Sequence, residues 1–139
     1  MIEPDWLADD VLAPSTGGAL APLYAAAAEG RLALPFCGAC GAVLELEQDV
    51  CDSCGAADVD WRDVDPAGSV HSVTRVHRRE PSLIRACSPY HVLDVQLGSG
   101  HRLVMTTTRP TDHPIRIGDP VRIGFRTVGG TALPAADLD

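Results

Sequence analysis

The chain contains no lysine; all 11 of its basic residues are arginine. It is also poor in aromatics, with two each of Trp, Tyr and Phe in 139 residues. Any core must therefore be largely aliphatic, and small domains with thin cores usually rely on a further staple. No run approaches the roughly 18 consecutive apolar residues of a membrane-spanning helix. The N-terminus, MIEPDWLADD, has no basic stretch leading into an apolar one, which argues against a secretory signal peptide. Also missing are a Gly-rich phosphate loop between strand and helix, a Gly-x-Ser-x-Gly elbow and a His-Glu-x-x-His pair. The five histidines (His71, His77, His91, His101 and His113) are scattered, with no pair at helical metal-binding spacing, and they read as ordinary strand or surface residues. Asp94 reads as solvent-facing. No catalytic set emerges, so the chain is not expected to be an enzyme by itself.

What is present is unevenly distributed. The net charge is −8, yet residues 1–67 carry 13 acidic side chains against two arginines, whereas residues 68–126 carry nine arginines against four acids. An acidic front and a basic back suggest different surfaces for different partners. Apolar residues make up 45%, enough for a core and too many for wholesale disorder.

Four of the five cysteines form two units of the same spacing, Cys37-Gly-Ala-Cys40-Gly41 and Cys51-Asp-Ser-Cys54-Gly55, with ten residues between the cysteine pairs. Two intervening residues let one tight turn aim both sulfurs at one ion. The glycine after each pair permits positive φ, which turns backbone N–H groups toward the thiolates. Two such knuckles facing each other make a tetrahedral S4 site suited to zinc, with a rubredoxin-type iron site the less favoured occupant. Four sulfurs close the coordination shell, so the role is structural. The intervening VLELEQDV is long enough for a short hairpin. This cysteine usage suits a reducing, cytoplasmic setting. Cys87 stands apart and reads as a free thiol in a loop.

Along the chain, residues 1–15 read as a mobile or partner-dependent arm in which Trp6 and Leu7 are suited to docking. Residues 16–30 read as a helix, with Thr16 near its start, Pro22 in its first turn, and Leu20, Leu23, Tyr24 and Ala27 on one apolar face before Gly30. The cysteine cluster follows, then a connector at 62–67. Strand signals occupy Gly68–Arg78, Tyr90–Leu97, His101–Thr107 after the Gly98-Ser99-Gly100 turn, Pro120–Thr127 and Thr131–Pro134. The expected class is mainly β: an N-terminal arm and helix (1–30), a zinc ribbon (31–66) and a five-stranded OB-fold barrel (67–139). Arg75, Arg78 and Arg79 end the first barrel strand and Arg85 lies in the next loop. Their planar forks suit phosphate or an acidic partner surface.

The order of these features resembles a known family. Glu29-Gly30-Arg31-Leu32 leads into a Cys-x2-Cys-Gly ribbon. Gly68-Ser-Val-His-Ser-Val-Thr-Arg-Val-His-Arg78, Pro89-Tyr90 and Gly118-Asp119-Pro120-Val121 follow in turn. This combination is similar to the acyl-CoA-associated family with a rubredoxin-like zinc ribbon and an OB-fold, over roughly residues 19–135. The resemblance implies a non-catalytic accessory subunit, in a hetero-oligomer with a thiolase-superfamily enzyme such as a thiolase, a synthase or a lipid-transfer-protein-like aldolase. It further implies a part in accommodating acyl-CoA, in steroid side-chain or fatty-acyl metabolism. Cys37, Cys40, Cys51 and Cys54 match the family's metal ligands, and Arg75, Arg78, Arg79 and Arg85 are the candidate contacts to CoA or to the partner. The alternative is a single-strand nucleic-acid binder built on the same two modules. The acidity of the chain and the few aromatics between the arginines speak against it.

Overall fold

The computed structural model describes residues 4–138. A short 3-10 turn (Asp10–Leu12) and one helix, α1 (Ala21–Ala28), precede seven strands. β1 (Ala33–Cys37) pairs antiparallel with β2 (Val59–Asp63), forming the ribbon's sheet. The other five are β3 (Ala67–Val76), β4 (Tyr90–Leu97), β5 (Arg102–Met105), β6 (Pro120–Val128) and β7 (Thr131–Asp137). They form one antiparallel sheet in the order β5-β4-β3-β6-β7. The sheet curls until its edges meet: Thr107 bridges Ala136 in parallel, the Thr108 amide donates to Ala136 O at 2.9 Å, and the Ala136 amide donates to Thr106 O at 2.8 Å. The result is the nearly closed five-stranded OB barrel that the sequence predicts.

Two local features let β3 serve both halves of the barrel. A register shift falls between Val70 and Ser72; β3 pairs with β4 on both sides of it, over 68–76, whereas β6 pairs only with 67–69 at its start. At the crowded start of β3, a side chain on Gly68 would place its Cβ 2.7 Å from Gln96 O. β4 alternates strictly between inward and half-exposed positions, putting His91, Leu93, Val95 and Leu97 inside. The core is aliphatic, as the composition requires. Leu93, Val95 and Val70 from the barrel, Leu34 from β1 and Leu23 from α1 belong to one cluster, so helix, ribbon strand and barrel share a single apolar interior.

Several expectations are corrected. The helix begins at Ala21, not near Thr16; Pro22 sits in its first two positions and Leu20 caps it without a side-chain bond. Residues 16–20 form bends and turns instead, which spares the Pro22 ring a clash with a preceding helical turn. The segment between the cysteine pairs forms no hairpin. The Glu45 amide donates to Gln48 Oε1 and Gln48 Nε2 to Val50 O, while Val43 bridges Phe36 and the Leu44 amide donates to Pro35 O, both on β1. The ribbon's strands instead flank the cysteines.

The N-terminal arm is docked on its own barrel; residues 1–3 lie outside the described residues. Trp6 Nε1 donates to Thr107 O at 3.0 Å and its ring meets Tyr90 edge-on with centroids 6.4 Å apart. Ala8 bridges Ile84, and the Arg85 amide donates to Leu7 O at 2.6 Å. At the centre is Asp5, whose side chain is 1% exposed. Its Oδ2 accepts from the Leu7 and Ala8 amides and from Arg126 Nη1 at 2.5 Å. A buried carboxylate so fully bonded fixes the entry of the chain into the fold.

Candidate metal centre and barrel cavity

The two cysteine knuckles are built alike. In the first, the Cys37 amide donates to Ala42 O at 2.8 Å and the Gly41 amide to Cys37 O at 2.8 Å. In the second, the Cys51 amide donates to Ala56 O at 2.9 Å and the Gly55 amide to Cys51 O at 2.8 Å. Gly41 (φ 79°) and Gly55 (φ 78°) adopt the left-handed backbone that closes each turn. The turns then aim further amides at sulfur: Cys40 N lies 3.4 Å from Cys37 Sγ, and Ser53 N 3.4 Å from Cys51 Sγ.

All four Sγ atoms lie within 4.8 Å of one another, with Cys37–Cys54 at 3.6 Å and Cys40–Cys51 at 3.7 Å. Zinc–thiolate bonds of about 2.3 Å place tetrahedral sulfurs about 3.8 Å apart, so the spacing fits an S4 ion. The electrostatics agree. The Cys40 amide, against the effect of burial, lowers Cys37 to about 7. Amides of Cys54 and Ser53 lower Cys51. At Cys54 the Ala56 amide pulls downward but is outweighed by the Cys37, Cys40 and Cys51 sulfurs and by burial, which push the thiol up to about 12. Four sulfurs this close cannot all ionise without a cation between them, and a divalent ion is the charge that the cluster calls for. These cysteines are thus positioned to bind one metal ion.

A buried histidine joins this centre to the barrel. His101, 4% exposed, hydrogen-bonds Pro35 O through Nε2 at 2.9 Å and Ser99 Oγ through Nδ1 at 2.8 Å, and meets the Phe36 ring edge-on. A carbonyl only accepts, so Nε2 carries the proton. Pro35 and Phe36 run directly into Cys37, and His101 follows the β4–β5 turn, so one side chain ties the first knuckle to a barrel hairpin. Sequence reading missed it. Its position just after Gly98-Ser99-Gly100 is the only local hint, because the acceptor lies 66 residues away.

The four arginines singled out in the sequence are not equivalent. Arg78 is committed to Glu80. Arg85 donates to Asp5 O at 2.8 Å and lies 3.8 and 3.6 Å from Asp9 and Asp10, so it holds the N-terminal arm. Among the described residues, Arg75 and Arg79 form no ion pair. Arg75 stands opposite His91 across β3 and β4 and lines a cavity of about 480 Å³ together with Trp6, Cys87 and Tyr90. His91 is 6% exposed and its Nδ1 has no hydrogen-bond partner. Burial first, and then the Arg75 charge, lower its pKa, which keeps the imidazole neutral near pH 7. Asp94 is not wholly solvent-facing as expected; its Oδ1 is buried. Cys87 is exposed. Among the described residues no helix is long and apolar enough to cross a membrane.

Residues 61–126 match the family model for the C-terminal OB-fold domain of ChsH2. Among solved structures, the chain is similar to one in the Ltp2-ChsH2(DUF35) aldolase, with 27% identity over 91% of this chain and 98% of that one, and a TM-score of 0.78. A DUF35-family protein of unknown function from Sulfolobus solfataricus shares the fold at 13% identity, with a TM-score of 0.60 over 88% of this chain and 87% of that one. No curated protein matches the chain. Ribbon, barrel and matched residues together bear out the resemblance read from the sequence: the chain joins a ribbon of four clustered cysteines to an OB-fold barrel similar to the C-terminal domain of ChsH2.

Proposed function

We propose that this chain is a non-catalytic accessory subunit that binds a thiolase-like enzyme and helps to accommodate its acyl-CoA substrate. One observation carries the reading: the chain aligns with 98% of a chain in the Ltp2-ChsH2(DUF35) aldolase at 27% identity. A match so complete spans the ribbon as well as the barrel, so the whole unit is the candidate partner and not the barrel alone. In this reading residues 1–30, 31–66 and 67–139 are arm and helix, ribbon and OB domain. The ion is zinc, held by Cys37, Cys40, Cys51 and Cys54, and its role is structural because four thiolates complete a tetrahedral shell.

The charge pattern supports a split of contacts. The ribbon half is acidic and the barrel half basic, so the two suit different surfaces. Arg79 and Arg75, free of ion pairs among the described residues, are the arginines available to the enzyme or to CoA phosphates. Arg78 can join them by leaving exposed Glu80, whereas Arg85 is held by the chain's own arm. The acyl group in this reading is a steroid side chain or a fatty-acyl chain, handled in the cytoplasm.

Pull-down of the tagged full chain from its native extract tests the proposal. A stoichiometric thiolase-superfamily enzyme whose acyl-CoA turnover depends on added chain is the expected result. Recovery of nucleic-acid-associated proteins, or an enzyme indifferent to the chain, overturns it.

A further inference from the structure

The cavity beside β3 and β4 is built differently from an open protein-contact surface. Its lining includes His91, 6% exposed, whose buried Nδ1 has no hydrogen-bond partner among the described residues. Leaving such an atom unpaired is unfavourable. Its mouth holds Arg75, the cross-strand neighbour of His91, without an ion pair among the described residues. Trp6 and Tyr90, set edge-to-face, supply an apolar wall. At about 480 Å³ the cavity falls within the size range of small-molecule sites.

We propose that this cavity binds a small monocarboxylate with an apolar body, its carboxylate on Arg75 and facing the His91 imidazole, its body against Trp6 and Tyr90. The charge balance selects this class over a phosphate. Arg75 is the one full positive charge on the lining and Asp112 is a negative one. A dianion would therefore face a carboxylate with a single guanidinium to offset both charges, whereas a monoanion is matched by Arg75 alone. The apolar wall disfavours a bare anion, which would lose hydration beside it without burying apolar surface in return. The neutral His91 ring beside Arg75 adds no second positive charge. The inference does not depend on the accessory-subunit reading, since every group belongs to this chain.

Cys87, exposed on the same cavity, provides the readout. The metal-loaded full chain is treated with iodoacetamide, and alkylation at Cys87 is followed by peptide mass spectrometry with octanoate or inorganic phosphate present. Octanoate is expected to slow Cys87 alkylation saturably, while phosphate at equal concentration does not. Arg75→Ala is expected to weaken the protection about tenfold or more, the loss of roughly one charge-assisted contact, and Arg102→Ala, on β5 outside the cavity, to leave it unchanged. An unprotected Cys87, equal protection by phosphate, or protection that survives Arg75→Ala overturns the proposal. The octanoate–phosphate comparison on the unmodified chain decides the matter even if a variant fails to fold.

Discussion

The ribbon and the barrel meet the same need for a stable interior with different materials. The barrel buries a dozen apolar side chains in a cluster reached from the helix, β1 and five strands. The ribbon buries Leu44 and two cysteines, with only Ala42, Ala56 and Val59 packed around them. Hydrophobic burial at roughly 25 cal/mol per Å² can hold the first, but three small residues cannot hold the second. An ion held between its knuckles would supply the cohesion that this small cluster lacks. The barrel's comes from an interior to which the metal contributes nothing directly. The two are nevertheless not independent, because Leu32 and Leu34 lie beside the ribbon yet belong to the barrel's core, and His101 crosses the boundary.

This contrast can be broken at several points, with effects that differ in size. The largest is expected for Cys40→Ser. Metal binding supplies folding free energy on the order of 10 kcal/mol in small ribbons, so the variant should lose its metal and its ordered 37–56 segment. Barrel amides should stay protected in hydrogen exchange; collapse of both units together would show that the barrel has no stability of its own. Next is Asp5→Ala, which leaves buried Arg126 uncompensated and frees the N-terminal arm. Breaking one partner of a buried pair costs about 3–5 kcal/mol. Urea unfolding should register this loss, with metal content unchanged.

Leu93→Ala is the matched lesion on the barrel side. Leu93 is 0% exposed, and truncating such a leucine costs about 2–5 kcal/mol through lost burial and the cavity left behind. Again the metal should remain bound, which would distinguish hydrophobic from metal-based cohesion. His101→Phe probes the seam. It keeps an apolar ring against Phe36 but leaves Pro35 O without its donor, at about 1–3 kcal/mol. Faster metal release to a chelator in this variant would show that the barrel braces the first knuckle; an unchanged release rate would confine the effect to the barrel.

The smallest effect is a pH dependence. His91 has its pKa lowered by burial and by Arg75, so the folded chain holds it neutral below the usual value of about 6.5 at which the unfolded chain protonates. As pH falls through that value the unfolded state takes up the extra proton, and stability drops until the folded pKa is passed. His91→Phe should flatten this decline, seen by comparing urea midpoints above and below about pH 6.5.

Local chemistry made much of this legible beforehand. The metal knuckles close through hydrogen bonds spanning at most five residues, so their residue types and spacing suffice to predict them. β4 was equally plain, because Tyr90–Leu97 alternates along its whole length and one face had to be buried. The helix start was misplaced because the apolar period extends N-terminal to Pro22, where backbone sterics outweigh periodicity. The expected hairpin between the cysteine pairs failed because nothing local can say that β1 prefers β2.

By itself the sequence determined the cluster of four cysteines, the strand-rich second half and its aliphatic character, since each follows from residue type and short-range spacing. Tertiary structure alone decided that the arm folds back so that Asp5 meets Arg126 across 121 positions. It also decided that His101 and His91 lie inside the fold, and that Arg85 is consumed internally while Arg75 has no ion pair among the described residues. The physical reason is common to all of these. Burial and pairing of a polar group depend on what the closed barrel brings beside it, and no local pattern encodes a partner that distant.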